Sequence, residues 1–384
     1  MVFDFKCFLF YNVVMRKVVI DLFSGSGGSA LGFKQAGYDV RVAVDIDKDA
    51  SKSFQLNFPE AVVLQEDICP ISGKQLLEAA GEKDGNNVVL IACPPCQGFS
   101  TARRKSEGRG DPRNKLVYEF LRIVGEIKPS AFVMENVPGL ATGNGKEYFE
   151  EIRHELEDMG YSTVYKIINA IEYGIPQKRR RLVLIGIKNA RADLKFPEKT
   201  HADPLKATEL GLKPWKTVRS WISDLPPIEA GTTESNDPLH RAASLSELNL
   251  TRIKSTPVNG GSRTSWPDEL VLNCHKNVTG YKDIYGRMSW DSPSPTMTGG
   301  CVMISKGRFG HPDQNRAITM REAARLQTFP DNYIFTGTVS SIAKQIGNAV
   351  PPLLAKILAD WLTDYYITPS KAIEDTTSSI ADIT

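Results

Sequence analysis

No apolar stretch of this 384-residue chain approaches the ~20 residues that a membrane-spanning helix needs. Cysteine is scarce: of the six, only Cys93 and Cys96 lie close together, and Cys7, Cys69, Cys274 and Cys301 are scattered. That distribution offers no disulfide framework and no second close pair for a zinc site, and it points to a reducing compartment. Net charge is nearly absent, at a formal +2, so bulk electrostatics do not announce a nucleic-acid partner. The Phe-rich start, Met1 to Met15, is interrupted by Asp4 and Lys6 and lacks both a basic start and a small-residue cleavage site. It is therefore a poor signal peptide. Residues 1–14 are expected to be a dispensable extension, with Met15 as an alternative start. What these absences leave is a soluble, cytoplasmic chain, 41% hydrophobic and long enough for a sizeable core in two domains.

What is present centres on one loop, Ala92-Cys93-Pro94-Pro95-Cys96-Gln97-Gly98-Phe99-Ser100, which follows the apolar run Val88 to Ile91. The run reads as a buried strand, and two prolines stiffen the turn after it. A stiff turn at the end of a parallel strand is where an α/β protein places a reacting group. The CxxC spacing suits a redox pair, but Gly98 and the polar stretch after it argue against the helix such a pair needs. By itself the loop leaves two readings open for Cys96, a nucleophile or an ordinary buried thiol.

Upstream, a strand over Lys17 to Leu22 runs into Phe23-Ser24-Gly25-Ser26-Gly27-Gly28 and then an apolar helix pattern stopped at Gly37. Strand, glycine-rich turn and helix form the nucleotide-cofactor arrangement. The next strands end at Asp45-Ile46-Asp47 and at Glu66-Asp67-Ile68. An acidic residue about 20 positions after the glycines is placed to accept hydrogen bonds from ribose hydroxyls. Asp21, Asp45 and Asp67 recur at three successive strand ends, which favours a cofactor cleft, and an adenosine cofactor without a pyrophosphate stays open.

Downstream of Cys96, Thr101 to Leu116 carries Arg103, Arg104, Lys105, Arg109, Arg113 and Lys115 against only Glu107 and Asp111. Residues 101–113 are expected to form a mobile lid. A helix from Asn114 to Glu126 returns to a strand, Ala131 to Met134, which delivers Glu135-Asn136-Val137-Pro138. A carboxylate and a cysteine at neighbouring strand ends make a plausible acid and nucleophile pair. Further on, in the extended stretch before the strand Leu182 to Ile187, Gln177, Arg179 and Arg181 share one face while Lys178 and Arg180 take the other. From Asn189 to Pro312 helix periodicity is missing and Pro, Gly and Ser are dense. There Thr296 and its neighbours could contact a phosphate backbone, and Cys274-His275 reads as structural. Thr319 and Glu322 then form a capping box for a helix from Met320 to Thr328. Gln345 to Pro352 introduces a last helix, Leu353 to Leu362, expected to pack on the first domain's sheet.

In this order, the motifs Asp21 to Gly28, Pro95-Cys96-Gln97, Asp111-Pro112-Arg113-Asn114, Glu135-Asn136-Val137, Gln177-x-Arg179-x-Arg181, Arg321 to Gln327 and Gln345-Ile346-Gly347-Asn348 resemble the DNA (cytosine-5) methyltransferases over nearly the whole length. The resemblance implies an α/β fold. A Rossmann-like, S-adenosylmethionine-dependent domain would span 15–188, with a smaller, loop-rich target-recognition domain at 189–312. Residues 313–366 would return to the first domain, and 367–384 would be a flexible tail. It implies methyl transfer from S-adenosyl-L-methionine to C5 of a cytosine flipped out of double-stranded DNA. Cys96 would attack C6, Glu135 would hold N3, Arg179 would stabilise the covalent intermediate, and Arg181 would support it. Phe23, Ser24, Gly25, Gly27, Gly28, Asp45, Ile46, Asp67, Ile68, Pro95, Leu116, Asn348 and Ala349 would bind the cofactor. Gln97, Ser100, Arg103, Arg113, Gln177 and Thr296 would contact DNA. Many members carry Glu at the position of Asp45, so the ribose contact would have one methylene less of reach. A monomer without metal, with a cognate restriction endonuclease as functional counterpart, completes the expectation. The alternatives are a tRNA cytosine-5 methyltransferase and a catalytically silent nucleic-acid-binding relative.

Overall fold

The computed structural model describes residues 17–95, 115–190, 194–276 and 283–367. The extension, the lid, the tail from residue 368, and Cys96, Gln97, Ser100, Arg103 and Arg113 lie outside these residues. The described residues build a seven-stranded sheet in the order β3-β2-β1-β4-β5-β7-β6. Five strands are parallel: β1 (Val18–Leu22), β2 (Asp39–Val44), β3 (Val62–Leu64), β4 (Val88–Ala92) and β5 (Ala131–Asn136). The last two, β6 (Tyr161–Asn169) and β7 (Arg180–Lys188), pair antiparallel, and β7 is also antiparallel to β5.

The central strands β1 and β4 are buried along their whole length. Continuous Val/Ile/Leu runs of this kind need cover on both faces. The two-residue alternation of a strand divides them: Val19, Val89 and Ile91 enter one core, and Ile20, Val88 and Leu90 the other. Helices supply the cover: α1 (Gly28–Gln35), α2 (Lys48–Asn57), α3 (Gly73–Ala80), α4 (Lys115–Ile127) and α5 (Lys146–Asp158). The apolar stripe of α4, with Phe120, Leu121, Ile123 and Val124, is buried in the second core beside Phe132 and Phe149.

Between Asn189 and Pro312 the elements are short, as the missing periodicity implies; β8 (His201–Ala202) pairs with β9 (Lys213–Pro214), and α6 spans Glu247–Lys254. Ile253, Trp266, Leu270, Tyr285 and Ile304 form a small core of their own. Val218, Ile222, Met288, Met297, Val302 and Phe309 join the first core of the main body instead. The region is thus fastened to the sheet and its helices by apolar contact.

Regular structure resumes with α7 (Met320–Leu326), whose Thr319–Glu322 capping box is formed on both sides. Helix α8 (Val339–Asn348) was not anticipated from the sequence. Gln345 to Asn348 form its last turn rather than a lead-in to the next helix, and Pro351 and Pro352 end the run. The last helix, α9 (Pro352–Ile367), is longer than expected and lies against α1. A Cβ on Gly32 would sit 2.4 Å from the Pro352 carbonyl oxygen and 2.5 Å from both Ala355 Cβ and Lys356 N. Tyr38 donates to the Ala359 carbonyl at 3.2 Å. The host of the last helix is therefore α1 as well as the sheet behind it, because glycine at position 32 lets the two backbones touch. Backbone atoms on a packed helix cannot step aside, so Gly32→Ala is expected to destabilise the fold by about 1–3 kcal/mol. Urea denaturation checks this, and an unchanged midpoint would contradict the packing argument.

Candidate active site

The carboxyl ends of β1, β2, β4 and β5 open into one cavity of ≈ 640 Å³. Open α/β sheets place their ligands in this kind of crevice. After β1 the chain turns sharply, with positive φ at Phe23 (56°), Gly25 (53°) and Gly27 (89°). Gly25 has open space where a side chain would be. Its N–H donates to Asp45 Oδ2 at 2.7 Å, and the Asp47 N–H donates to Asp45 Oδ1 at 2.8 Å. Asp45 is thus oriented by two backbone donors at the end of β2. Burial nevertheless raises its carboxyl from the ordinary value.

Phe23, Ser24, Gly25, Gly28, Asp45, Ile46, Asp67, Ile68, Pro95, Leu116, Asn348 and Ala349 all line the cavity. Ile46 stands 70% exposed. Gly27 is the exception among the expected cofactor residues. Its absent Cβ would lie 2.8 Å from Phe58 and 2.9 Å from Phe54 and the Tyr333 hydroxyl. It serves packing under the turn, where only a glycine can take that backbone. Ser26, Asp47, Lys344 and Val350 line the cavity without having been anticipated. Lys344 Nζ reaches Asp47 Oδ2 at 3.0 Å. Asp47 also caps α2, accepting from Asp49 N and Ala50 N; an Asp before a helical run was the available signal. Lys344 had none, because α8 itself was not read from the sequence.

The other wall depends on strand direction. Because β7 runs antiparallel to β5, its first residues lie beside the last residues of β5, with Glu135 opposite Val183 and Asn136 opposite Leu182. The alternation expected from residue 177 to 181 is present: Gln177 and Arg179 are buried and Arg181 half-buried, while Lys178 and Arg180 are exposed. Arg181 Nε lies 2.9 Å from Glu135 Oε1, and Arg179 Nη2 lies 3.9 Å from the same oxygen. All three residues line the cavity.

Arg179 is almost wholly enclosed. Its Nη1 donates to the carbonyls of Met297 (3.3 Å) and Gly347 (3.1 Å), and Nη2 to that of Asn348 (3.5 Å). Burial, with Arg181 beside it, pulls the guanidinium down to about 9, so it remains a cation at neutral pH. The contact with Glu135 therefore falls first to Arg181, and Arg179 holds the surrounding backbone.

Two residues expected at DNA hydrogen-bond within the protein, one in its interior and one at its surface. Gln177 is fully buried. It accepts from Met297 N at 2.9 Å and donates to Gln327 Oε1 at 2.7 Å and to the Leu326 carbonyl at 3.3 Å. With every polar atom engaged it has nothing to offer a duplex, which corrects its place among the DNA contacts. The half-buried Thr296 donates its hydroxyl to the Lys178 carbonyl at 2.6 Å.

Cys93 lines the same cavity as Glu135. Its Sγ lies 3.8 Å from Ser29 Oγ. Burial first, then Glu135 and Asp21, push its thiol well above the ordinary value, and a thiol is a poor nucleophile. Asn136 Nδ2 donates to the Pro94 carbonyl at 3.1 Å. That bond anchors the turn whose last described residue, Pro95, precedes Cys96 in the chain.

The profile of the C-5 cytosine-specific DNA methylases matches residues 18–363. The chain belongs to that family. It is 37% identical over 351 residues to the type II methylase M.HgiDII of Herpetosiphon aurantiacus, covering 90% of this chain and 94% of that one. It is also 37% identical over 347 residues to the type II methyltransferase M1.HphI of Haemophilus parahaemolyticus, covering 90% and 86%. Among solved structures, an E. coli prophage protein described as a DNA modification methyltransferase superposes with a TM-score of 0.69 at 25% identity, covering 91% and 99%. The S. pombe Dnmt2 methyltransferase shares the fold, with a TM-score of 0.60 at 19% identity over 92% and 100% of the two chains.

Methylases of this family imply S-adenosylmethionine as the methyl donor, and the residues present fit it. The Ser24 and Ser26 hydroxyls are buried in the cavity wall without hydrogen-bond partners. Asp21, near the end of β1, is fully buried behind the wall rather than in it, with the Ala30 backbone amide facing its carboxyl. Burial, with Asp45 nearby, holds that carboxyl well above the usual range. The two serine hydroxyls are free to meet polar groups of a ligand in the cavity. Among the described residues no cluster of His, Cys, Asp or Glu could hold a metal, and no helix is long and apolar enough to cross a membrane.

The two arginines separate by burial. Arg179→Met strips two enclosed carbonyls, of Met297 and Gly347, of their donor and is expected to cost about 3–5 kcal/mol, the scale for breaking a buried charged contact. Arg181→Met, half-buried beside the cavity, is expected to cost clearly less. Denaturant unfolding of the two variants side by side checks this, and equal losses would contradict the division of labour.

Proposed function

We propose that this methylase transfers the methyl group of S-adenosylmethionine to C5 of a cytosine swung out of duplex DNA, with Cys96 as the nucleophile. One observation carries the reading. The Glu135–Arg181 pair, 2.9 Å apart, shares a single cavity with the glycine turn, Asp45, Asn348 and Pro95, the neighbour of Cys96 in the chain. A reacting base and an adenosine-bearing cofactor both find their wall residues there.

The residues then take these roles. The Cys96 thiolate adds to C6 of the ring, which moves electron density onto C5. Glu135 holds N3, and Arg181 fixes the position of Glu135. Arg179 keeps that end of β7 closed against the loop bearing Met297 and the turn bearing Gly347. Once C5 has taken the methyl group, its proton passes to solvent and the Cys96 thiolate is expelled, which restores the aromatic ring as 5-methylcytosine. Bound S-adenosylmethionine supplies an electrophilic methyl group on a sulfonium. Asp45 accepts from the ribose hydroxyls, Phe23, Asp67 and Ile68 face the adenine, and Gly25, Asn348 and Ala349 flank the methionine end. Arg103, Arg113, Gln97 and Ser100 are assigned to contact with the DNA. The enzyme acts as a cytoplasmic monomer, paired in function with a restriction endonuclease of the same target; the type II names of its relatives support that context.

Cys96→Ala is expected to abolish transfer of labelled methyl while duplex binding, followed by gel shift, is kept. Turnover at the wild-type rate would remove Cys96 from the mechanism. Glu135→Gln is expected to slow transfer by about 10²–10⁴-fold, the scale for a positioned acid–base group. Parallel assays on unmodified DNA and on tRNA fix the substrate, and transfer confined to tRNA would overturn the reading.

A further inference from the structure

Two glutamines outside the chemistry join the loop Ser294–Gly299 to the wall of the cofactor cavity. The loop is first tied to the chain before β7. Ser294 N donates to the Pro176 carbonyl and Lys178 N to the Ser294 carbonyl, both at 2.8 Å. Gln177 then receives Met297 N at 2.9 Å and donates to Gln327 Oε1 at 2.7 Å. Gln327 Nε2 donates in turn to the carbonyls of Ile346 (2.5 Å) and Ala349 (3.2 Å). Ala349, with its neighbours Gly347 and Asn348, lines the cavity. Both glutamines are completely buried.

Every amide atom of the pair is engaged, and each joins two segments distant in sequence. Breaking any link would strand a buried donor or acceptor, which is costly. The backbones also touch directly, since a Cβ on Gly347 would lie 2.1 Å from the Thr298 carbonyl carbon and 2.5 Å from Gly299 N. Loop and wall can therefore shift only together. The outer side of the same loop faces solvent, where Thr298 is exposed and Thr296 and Gly299 are half-buried.

We infer that Gln177 and Gln327 are positioning residues that couple occupation of the cofactor cavity to engagement of the nucleic acid by the Ser294–Gly299 loop. The inference rests on the proposed reading that this face meets DNA. Coupling between two ligands is reciprocal, so each must change the affinity of the other by the same factor.

The test measures the affinity of the full chain for S-adenosylhomocysteine, which cannot turn over, with and without saturating unmodified phage DNA. In the wild type DNA is expected to tighten binding at least about fivefold, the lower end of usual coupling. Gln327→Met, of similar shape but without the amide, is expected to lower that ratio, the Arg179 bonds to Met297 and Gly347 being left in place. So is the double variant Gln177→Met/Gln327→Met, in which both partners become apolar and folding is easier to retain. Arg325→Gln, two residues earlier in α7 but bonded to Asp224 and Asp331, is expected to keep the wild-type ratio despite lost stability. An unchanged ratio in either glutamine variant, or no tightening in the wild type, would overturn the inference while leaving the methylase reading intact. Absence of methyl transfer to DNA by the wild type would remove the reading and the inference with it.

Discussion

The enclosed guanidinium of Arg179 is the joint on which the rest of the site depends. A buried cation must be met by acceptors or it destabilises the fold. Here the acceptors come from Met297, Gly347 and Asn348, with Glu135 within ion-pair distance. They lie on the middle region, on α8 and on β5. One charge therefore brings together three stretches of chain that no local interaction would join. The need to satisfy it sets where the Ser294–Gly299 loop and the α8 terminus can sit.

The direction of a single strand does comparable work. Were β7 parallel like β1 to β5, its first residues would lie at the opposite edge of the sheet from the end of β5. Running antiparallel, it places Arg181 beside Glu135. The prolines after β4 and the Asn136 bond to the Pro94 carbonyl hold the neighbouring strand end in the same crevice. Acid, arginines and the approach to Cys96 are thus gathered by backbone pairing, with little reliance on long flexible side chains.

The cofactor cavity shows the same economy of construction from the two ends of the chain. Its floor is the glycine turn after β1, and its far wall is the terminus of α8. Tyr333 donates to the Ser26 carbonyl, and Ser53 donates to Gln345 Oε1 at 2.7 Å. Gly32 lets α9 lie on α1. These fasteners close the wall only after residues near the C-terminus have returned to the first sheet, so the cavity exists only in the assembled fold.

Much of this was legible beforehand, for physical reasons that differ from element to element. Buried parallel strands are continuous apolar runs, so β1, β2, β4 and β5 were visible with only small errors at their ends. Glycines at the turn after β1, the acid at the end of β2 and the capping box at Thr319 are local signals, and each lies at the element end that the sequence marked. Helix α8 was missed because its last turn shares residues with a conspicuous motif. Gln177 was misplaced because a polar residue on the face of a strand carries no mark of whether water, a duplex or another glutamine lies opposite. By itself the sequence determined the strands, the order of the motifs and the chemical types at the site, since these follow from local periodicity and residue chemistry. Only the tertiary structure decided which arginine meets Glu135, that Gly27 packs beneath the turn, and that Gln177 reaches Gln327. Those outcomes depend on which distant segments share a buried space, and burial is a property of the assembled chain.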